Sequence, residues 1–234
     1  MVLQSCSTMD QSLTLTLPNN DLAIVQQIPA NQKGREENSL YLPPRSIRKA
    51  EFNTPALTEL IDRMYRTMVQ KAGVGIAANQ IGKRLQVFII EAQSDNPRYK
   101  VLGAVPKQVF INPLITKVSA QKKNFWHGCL SAEGAHRGNV ATYEWLEYQC
   151  QNEQGALITG RLEGFAAVIF QHEFKHLMNG TYLDVAQQCL SKEALDGAIE
   201  RNETPFFDTA PDTLPLLIQG YSIGDTLEQY HAKK

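Results

Sequence analysis

The sequence predicts an α+β fold, and three observations carry that prediction. Two stretches, 53–72 and 163–179, place apolar residues at helical spacing. Between them, from 85 to 162, the apolar residues come in short runs broken by turn residues, as in strands joined by hairpins. The helical stretches stand apart from the strand region, which is the α+β pattern.

The elements follow in order. Residues 1–20 are polar and aperiodic and read as a loose arm, and 21–30 holds one short strand. Residues 31–50 are charged and carry Pro43-Pro44, so they read as a loop or insertion. In 53–72, Asn53 or Thr54 can cap a helix, and Pro55 suits its first turn. Leu57, Leu60, Ile61, Met64, Tyr65 and Met68 form one apolar face, and Gly73 is a natural stop. Strands are expected at 85–90, at 109–111 ending on Asn112-Pro113, at 114–118, and at 145–150 paired through a turn at 152–155 with 157–162. The helix at 163–179 is apolar almost all round, so it belongs inside the molecule, and Gly180 marks its end. A third helix covers 190–202, and the proline-bearing tail from 203 reads as irregular. The expected organisation is a single catalytic domain over 1–234, with the arm at about 1–20, the insertion at about 31–50 and a C-terminal extension at about 190–234.

Composition removes several classes of function. Lys plus Arg number 23 and Asp plus Glu 24, a formal charge of −1, so no nucleic-acid specificity is expected. Hydrophobic residues at 43% suit a folded chain rather than a disordered one. No apolar run approaches the ~20 residues needed to span a bilayer, so no membrane association is expected. The cysteines, Cys6, Cys129, Cys150 and Cys189, are too sparse for a disulfide scaffold, and the first residues lack a leader's basic and apolar regions. Both point to the reducing cytoplasm.

The chemistry concentrates in His172-Glu173-Phe174-Lys175-His176. On a helix, His172 and His176 project from one face and can hold a divalent metal, while Glu173 can reach a water on that metal as general base. Chance gives this pattern an expected count of only about 0.007 in such a chain. A buried helix carries two histidines and a glutamate only when they are paired or ligating. Two imidazoles leave a third ligand to find, among Cys129, His127, His136 and the acids. Alone, Cys129 would read as a small buried hydrophobe; beside the HExxH helix it is the favoured ligand, because thiolate binds zinc and ferrous iron strongly. Gly128 next to it lets the backbone approach closely. The Gly73–Gln80 segment, GVGIAANQ, allows tight packing but lacks the ending of a phosphate loop.

Three segments thus stand in fixed order: GVGIAANQ at 73–80, HGCLS at 127–131 and QHEFKH at 171–176. Together they resemble the peptide deformylases, whose motifs are GxGxAAxQ, EGCLS and QHExDH in that order. The resemblance runs over about residues 20–185, including FINP at 110–113. It implies short antiparallel strands wrapped around a central HExxH helix. It implies removal of the N-formyl group from the initiator formyl-methionine of nascent peptides, so the partners are N-formylmethionyl peptides and the ribosome near its exit tunnel. It implies Cys129, His172 and His176 as ligands of one divalent metal, with Fe2+ native and Zn2+ or Ni2+ able to substitute. Glu173 would be the general acid/base, and Gln80 with the Leu130 N–H would stabilise the oxyanion. The methionine pocket would be built from Ile76, Phe170, the helix near Ile169 and residues after Ser131.

The sequence departs from the family in three places. His127 stands where the family usually has Glu, Lys175 where it has Asp, and Val140-Ala141-Thr142 where it has Val-Pro-Arg. Groups that support metal ligands tune affinity and activity by about 10- to 100-fold. The departures therefore leave two alternatives to an active deformylase: a related amidohydrolase for another N-acyl group, or a low-activity formyl-peptide-binding homologue. His127 itself is an alternative ligand, two residues from Cys129. A protease using a downstream acid such as Glu193 as third ligand would leave the other two motifs unexplained.

Overall fold

The computed structural model of the chain describes residues 11–15, 22–94, 102–134, 136–203, 207–210 and 213–234. Most of the arm expected over 1–20 lies outside the described residues. Its 11–15 stretch is tied down, with Leu13 buried, the Gln11 carbonyl accepting from Arg45 and the Thr14 carbonyl from Lys83 Nζ at 2.6 Å.

Helix α1 runs Pro55–Gln70. Thr54 caps it, its hydroxyl accepting from Leu57 N at 3.3 Å, and the predicted stripe from Leu57 to Met68 is buried apart from Tyr65. Thr54→Ala is expected to cost about 1 kcal/mol in urea denaturation, the usual loss of a side-chain cap, with metal content unchanged. The chain turns off the helix at Ala72, which takes the left-handed conformation (φ 51°) one residue before the glycine expected to stop it.

Two sheets follow. The first has the order β1-β2-β3-β6-β7, from β1 Gly75–Ala77, β2 Val87–Ala92, β3 Val105–Val118, β6 Trp145–Gln151 and β7 Leu157–Glu163, all antiparallel. The second has the order β8-β5-β4-β9, from β4 Lys122–His127, β5 Arg137–Tyr143, β8 Gln188–Leu190 and β9 Phe207–Thr209. The β6–β7 hairpin is as predicted. Pro113 does not end its strand: the register shifts between Ile111 and Leu114, Asn112 swings to φ 51°, and β3 continues past this bulge. The short strand expected in 21–30 is absent over 22–30. That segment is instead tied to distant parts of the chain by isolated backbone bonds, from Val25 N to the Gln80 carbonyl and from Gln27 N to the Ser131 carbonyl, both 2.7 Å.

Helix α2, Gly164–Leu177, lies between the sheets with nearly every side chain buried. Phe170 is its anchor, with ring centroids 5.1 Å from Phe88, 4.9 Å from Phe110 and 5.6 Å from Tyr148. Gln171 fixes its rotation: its amide donates to the Tyr143 and Ala167 carbonyls and accepts from Tyr143 N, each at 2.9 Å. Helix α3 covers Lys192–Glu200. The tail is more ordered than its prolines suggest. It bonds along β5 through Ala141, buries Leu217, Ile218 and Tyr221, and ends in α4, Leu227–Ala232, whose His231 Nε2 lies 2.9 Å from the Leu177 carbonyl at the end of α2.

Candidate active site

The HExxH segment occupies the last turns of α2, and β4 runs beside it to deliver Gly128-Cys129-Leu130. Helical spacing brings His172 and His176 to one face. Their ligand atoms and Cys129 Sγ all lie within 4.8 Å of one another, with Sγ 3.2 Å from His176 Nε2. One thiol and two imidazoles are a donor set that a divalent metal fits. His136 and Glu193 fall outside this group and border a groove next to it. That removes the acid ligand required by the protease reading. His127 is also outside the group, with its Nδ1 3.1 Å from His172 Nδ1.

The electrostatics of the site are set by burial. It pushes the Cys129 thiol up to about 12, with the Glu173 carboxylate adding to the shift. It lowers His172 to about 4, and His127 and His176 well below the usual histidine value. Burial thus favours the neutral imidazoles, whose lone pairs can ligate a metal. Glu173 is 2% exposed, burial raises its pKa well above 4.5, and its Oε2 has no hydrogen-bond partner. Such an orphaned acid beside three donors is accounted for by a polar or cationic group not supplied by the chain. Gly75 makes room for it, since a Cβ there would overlap Glu173 Oε1.

Gln80 and Leu130 border the same space. The Gln80 carbonyl oxygen accepts from Ala77 N at 2.8 Å, and its amide donates to Cys129 Sγ at 3.3 Å and Ser131 Oγ at 3.1 Å. Both amide hydrogens are thus in use. The Leu130 N–H has no acceptor among the described residues.

A narrow cavity of about 40 Å³ opens beside these groups, walled by Phe125, Phe165, Val168, Ile169 and Val74. Ile169 was expected there. Ile76 and Phe170 were also expected but belong to the core, both fully buried. Phe125 and Phe165, with centroids 5.8 Å apart, take their place. Sequence reasoning missed them because their strand and helix phases relative to the cavity are fixed only by packing. At Gly128–Leu130 the cavity meets a wider polar groove of about 530 Å³, bordered by Gln26, Glu133, His136 and Arg137. A Cβ on Gly128 would overlap Arg137 Nη1, so this glycine lets the guanidinium lie across the groove wall.

The other departures have local partners. Lys175 is buried and points away from the site; burial lowers it to about 8, partly opposed by Asp184, which also pairs with Arg35 from the 31–50 segment. Val140, Ala141 and Thr142 are packed inside β5 with no charge to balance.

The polypeptide deformylase family profile matches residues 35–192. Peptide deformylase 2 of Bordetella bronchiseptica is 40% identical over 143 residues, covering 59% of this chain and 80% of that protein. Peptide deformylase 2 of Ralstonia nicotianae is 44% identical over 131 residues, covering 56% and 73%. Among solved structures, the Met-Ala-Ser-bound class I type b peptide deformylase of Acinetobacter baumannii superposes with a TM-score of 0.63 at 29% identity, covering 70% of this chain and 98% of that one. A plant peptide deformylase at 23% identity shares the fold, with a TM-score of 0.60 over 81% of this chain. With more than half its length matched, this chain belongs to the peptide deformylase family.

Proposed function

We propose that this protein hydrolyses the N-formyl group of the initiator formyl-methionine on nascent peptides, releasing formate and a free amino terminus. The observation that carries the reading is the convergence of Cys129, His172 and His176 with Glu173 at the mouth of a narrow apolar cavity. Room for a few linear heavy atoms suits a methionine side chain, and the adjoining groove suits the peptide that follows. The Acinetobacter relative holds the tripeptide that such a reaction would leave.

A divalent ion held by the three ligands would supply Lewis-acid chemistry, lowering the pKa of a water and polarising the formyl carbonyl. Glu173 takes a proton from the attacking water and passes it to the amine nitrogen as the C–N bond breaks. The Leu130 N–H is free to meet the oxyanion, while Gln80 joins it by giving up its bond to Cys129 Sγ or Ser131 Oγ. Ferrous iron is the native metal of this proposal, with zinc or nickel as substitutes, since one thiolate and two imidazoles suit all three. The proposed place of action is the cytoplasm, near the ribosomal exit tunnel where such substrates emerge. Among the described residues no helix is long and apolar enough to cross a membrane.

The test is formate release from formyl-Met-Ala-Ser and acetate release from acetyl-Met-Ala-Ser by anaerobically prepared protein, with metal measured on the same sample. Formate release with no acetate, at about one metal per chain, is expected for this site. Fully metallated protein that releases no formate would overturn the reading, and acetate release would shift the assignment to another N-acyl group.

A further inference from the structure

His127 is a buried polar side chain of the site that the reaction above does not use. It is the last residue of β4, opposite Gly138 of β5, and is 1% exposed. Its ring lies beside that of His172, with centroids 5.3 Å apart and planes 21° from parallel, and is flanked by Tyr182 and Phe125. The two Nδ1 atoms are 3.1 Å apart, a hydrogen-bond distance, and His127 Nε2 is buried without a partner.

Two ring nitrogens at that distance share one hydrogen, and a neutral imidazole has one donor and one acceptor nitrogen. His172 has its Nδ1 engaged, so the nitrogen it can offer a metal is Nε2. That nitrogen must then be bare and Nδ1 must carry the hydrogen. His127 is left with a bare, accepting Nδ1 and with its own hydrogen on Nε2, the atom that finds no partner. Metal-ligating histidines are regularly oriented through their second nitrogen, usually by a carboxylate, a carbonyl or water. Here the acceptor is a second, uncharged imidazole.

We propose that His127 is a positioning residue of the metal centre, its Nδ1 accepting the hydrogen of His172 Nδ1 and so turning the His172 Nε2 lone pair toward Cys129 and His176. The proposal rests on the ligand set of the reading above, but not on the activity.

Zinc is the probe, since it is diamagnetic and metal retention can be read without turnover. In zinc-loaded, 15N-histidine-labelled protein, long-range 1H–15N spectra are expected to show His172 protonated at Nδ1 and His127 at Nε2. His127→Phe keeps a flat ring but removes the acceptor, and zinc loss to a chelator is expected to speed up by about 10- to 100-fold. His127→Gln restores a neutral acceptor and is expected to recover most of the retention. If His127 carries its hydrogen on Nδ1, or if the Phe and wild-type proteins lose zinc at the same rate, the proposal fails. The wild-type spectrum decides the matter even if neither variant folds. Failure to take up zinc overturns both this proposal and the ligand set, whereas intact zinc binding with the expected tautomers but no formate release overturns only the activity.

Discussion

Glu173→Gln is expected to keep about one metal per chain while lowering kcat by about 10²- to 10⁴-fold, the range supplied by a positioned general base. Glutamine fills the same volume beside Gly75, so packing is preserved at a position 2% exposed. What it removes is the ability to accept a proton. Burial alone raises the pKa of this carboxyl, and a dication at the neighbouring ligands would oppose that shift. The sign for pH is independent of the balance: only the ionised form accepts a proton, so the rate falls as pH drops through the carboxyl's pKa in the metal-loaded enzyme. Because the ligands are untouched, the loss is expected in kcat more than in KM, read as formate release with metal assayed on the same sample. A Gln variant within tenfold of wild type would remove Glu173 from the chemistry.

The parts of this site legible in the sequence are those governed by local geometry. His172 and His176 share a face because a helix repeats every 3.6 residues, and an almost wholly apolar helix must be buried. Cys129 was favoured as third ligand by thiolate chemistry beside an HExxH helix and then by the order of three motifs, since nothing local to HGCLS fixes its distance from α2. Strand β4, which ends two residues before it, was missed. Its sequence KKNFWH opens with two lysines, and only four of its six side chains are buried. Strand β5, RGNVATY, shows no alternation because its centre is covered on both faces. Pro113 was read as a stop because the cost of a proline in a strand is local, whereas the bulge that absorbs it depends on Asn112 bonding across to Gln151. The tail failed in the same way: its prolines are local signals, but Tyr221 and Tyr230 become core only against Phe174 and the end of α2. The cavity walls are the least legible part, since they are set by how β4 and α2 face each other.

Cys129→Ala is expected to weaken zinc binding by about 10²- to 10³-fold, the share of one ligand in a four-ligand site worth about 10–16 kcal/mol. The pH dependence separates the loss of a ligand from simple damage. In the metal-free protein the Cys129 thiol is protonated up to about 12, while His172 is already neutral above about 4. Where Glu173 is already ionised, metal binding between those limits therefore displaces one proton, from sulfur, and wild-type affinity is expected to rise about tenfold per pH unit. Below about 4 His172 also holds a proton and the dependence steepens, so acid strips the metal. In the alanine variant no thiol remains to be ionised, and the slope across neutral pH is expected to flatten along with the loss of affinity. Competition with a chelator of known proton dependence at three pH values reads both quantities. A variant that binds weakly but keeps the wild-type slope would mean that the displaced proton comes from another group and that Cys129 is not the anionic ligand. A variant of unchanged affinity would remove it from the site altogether.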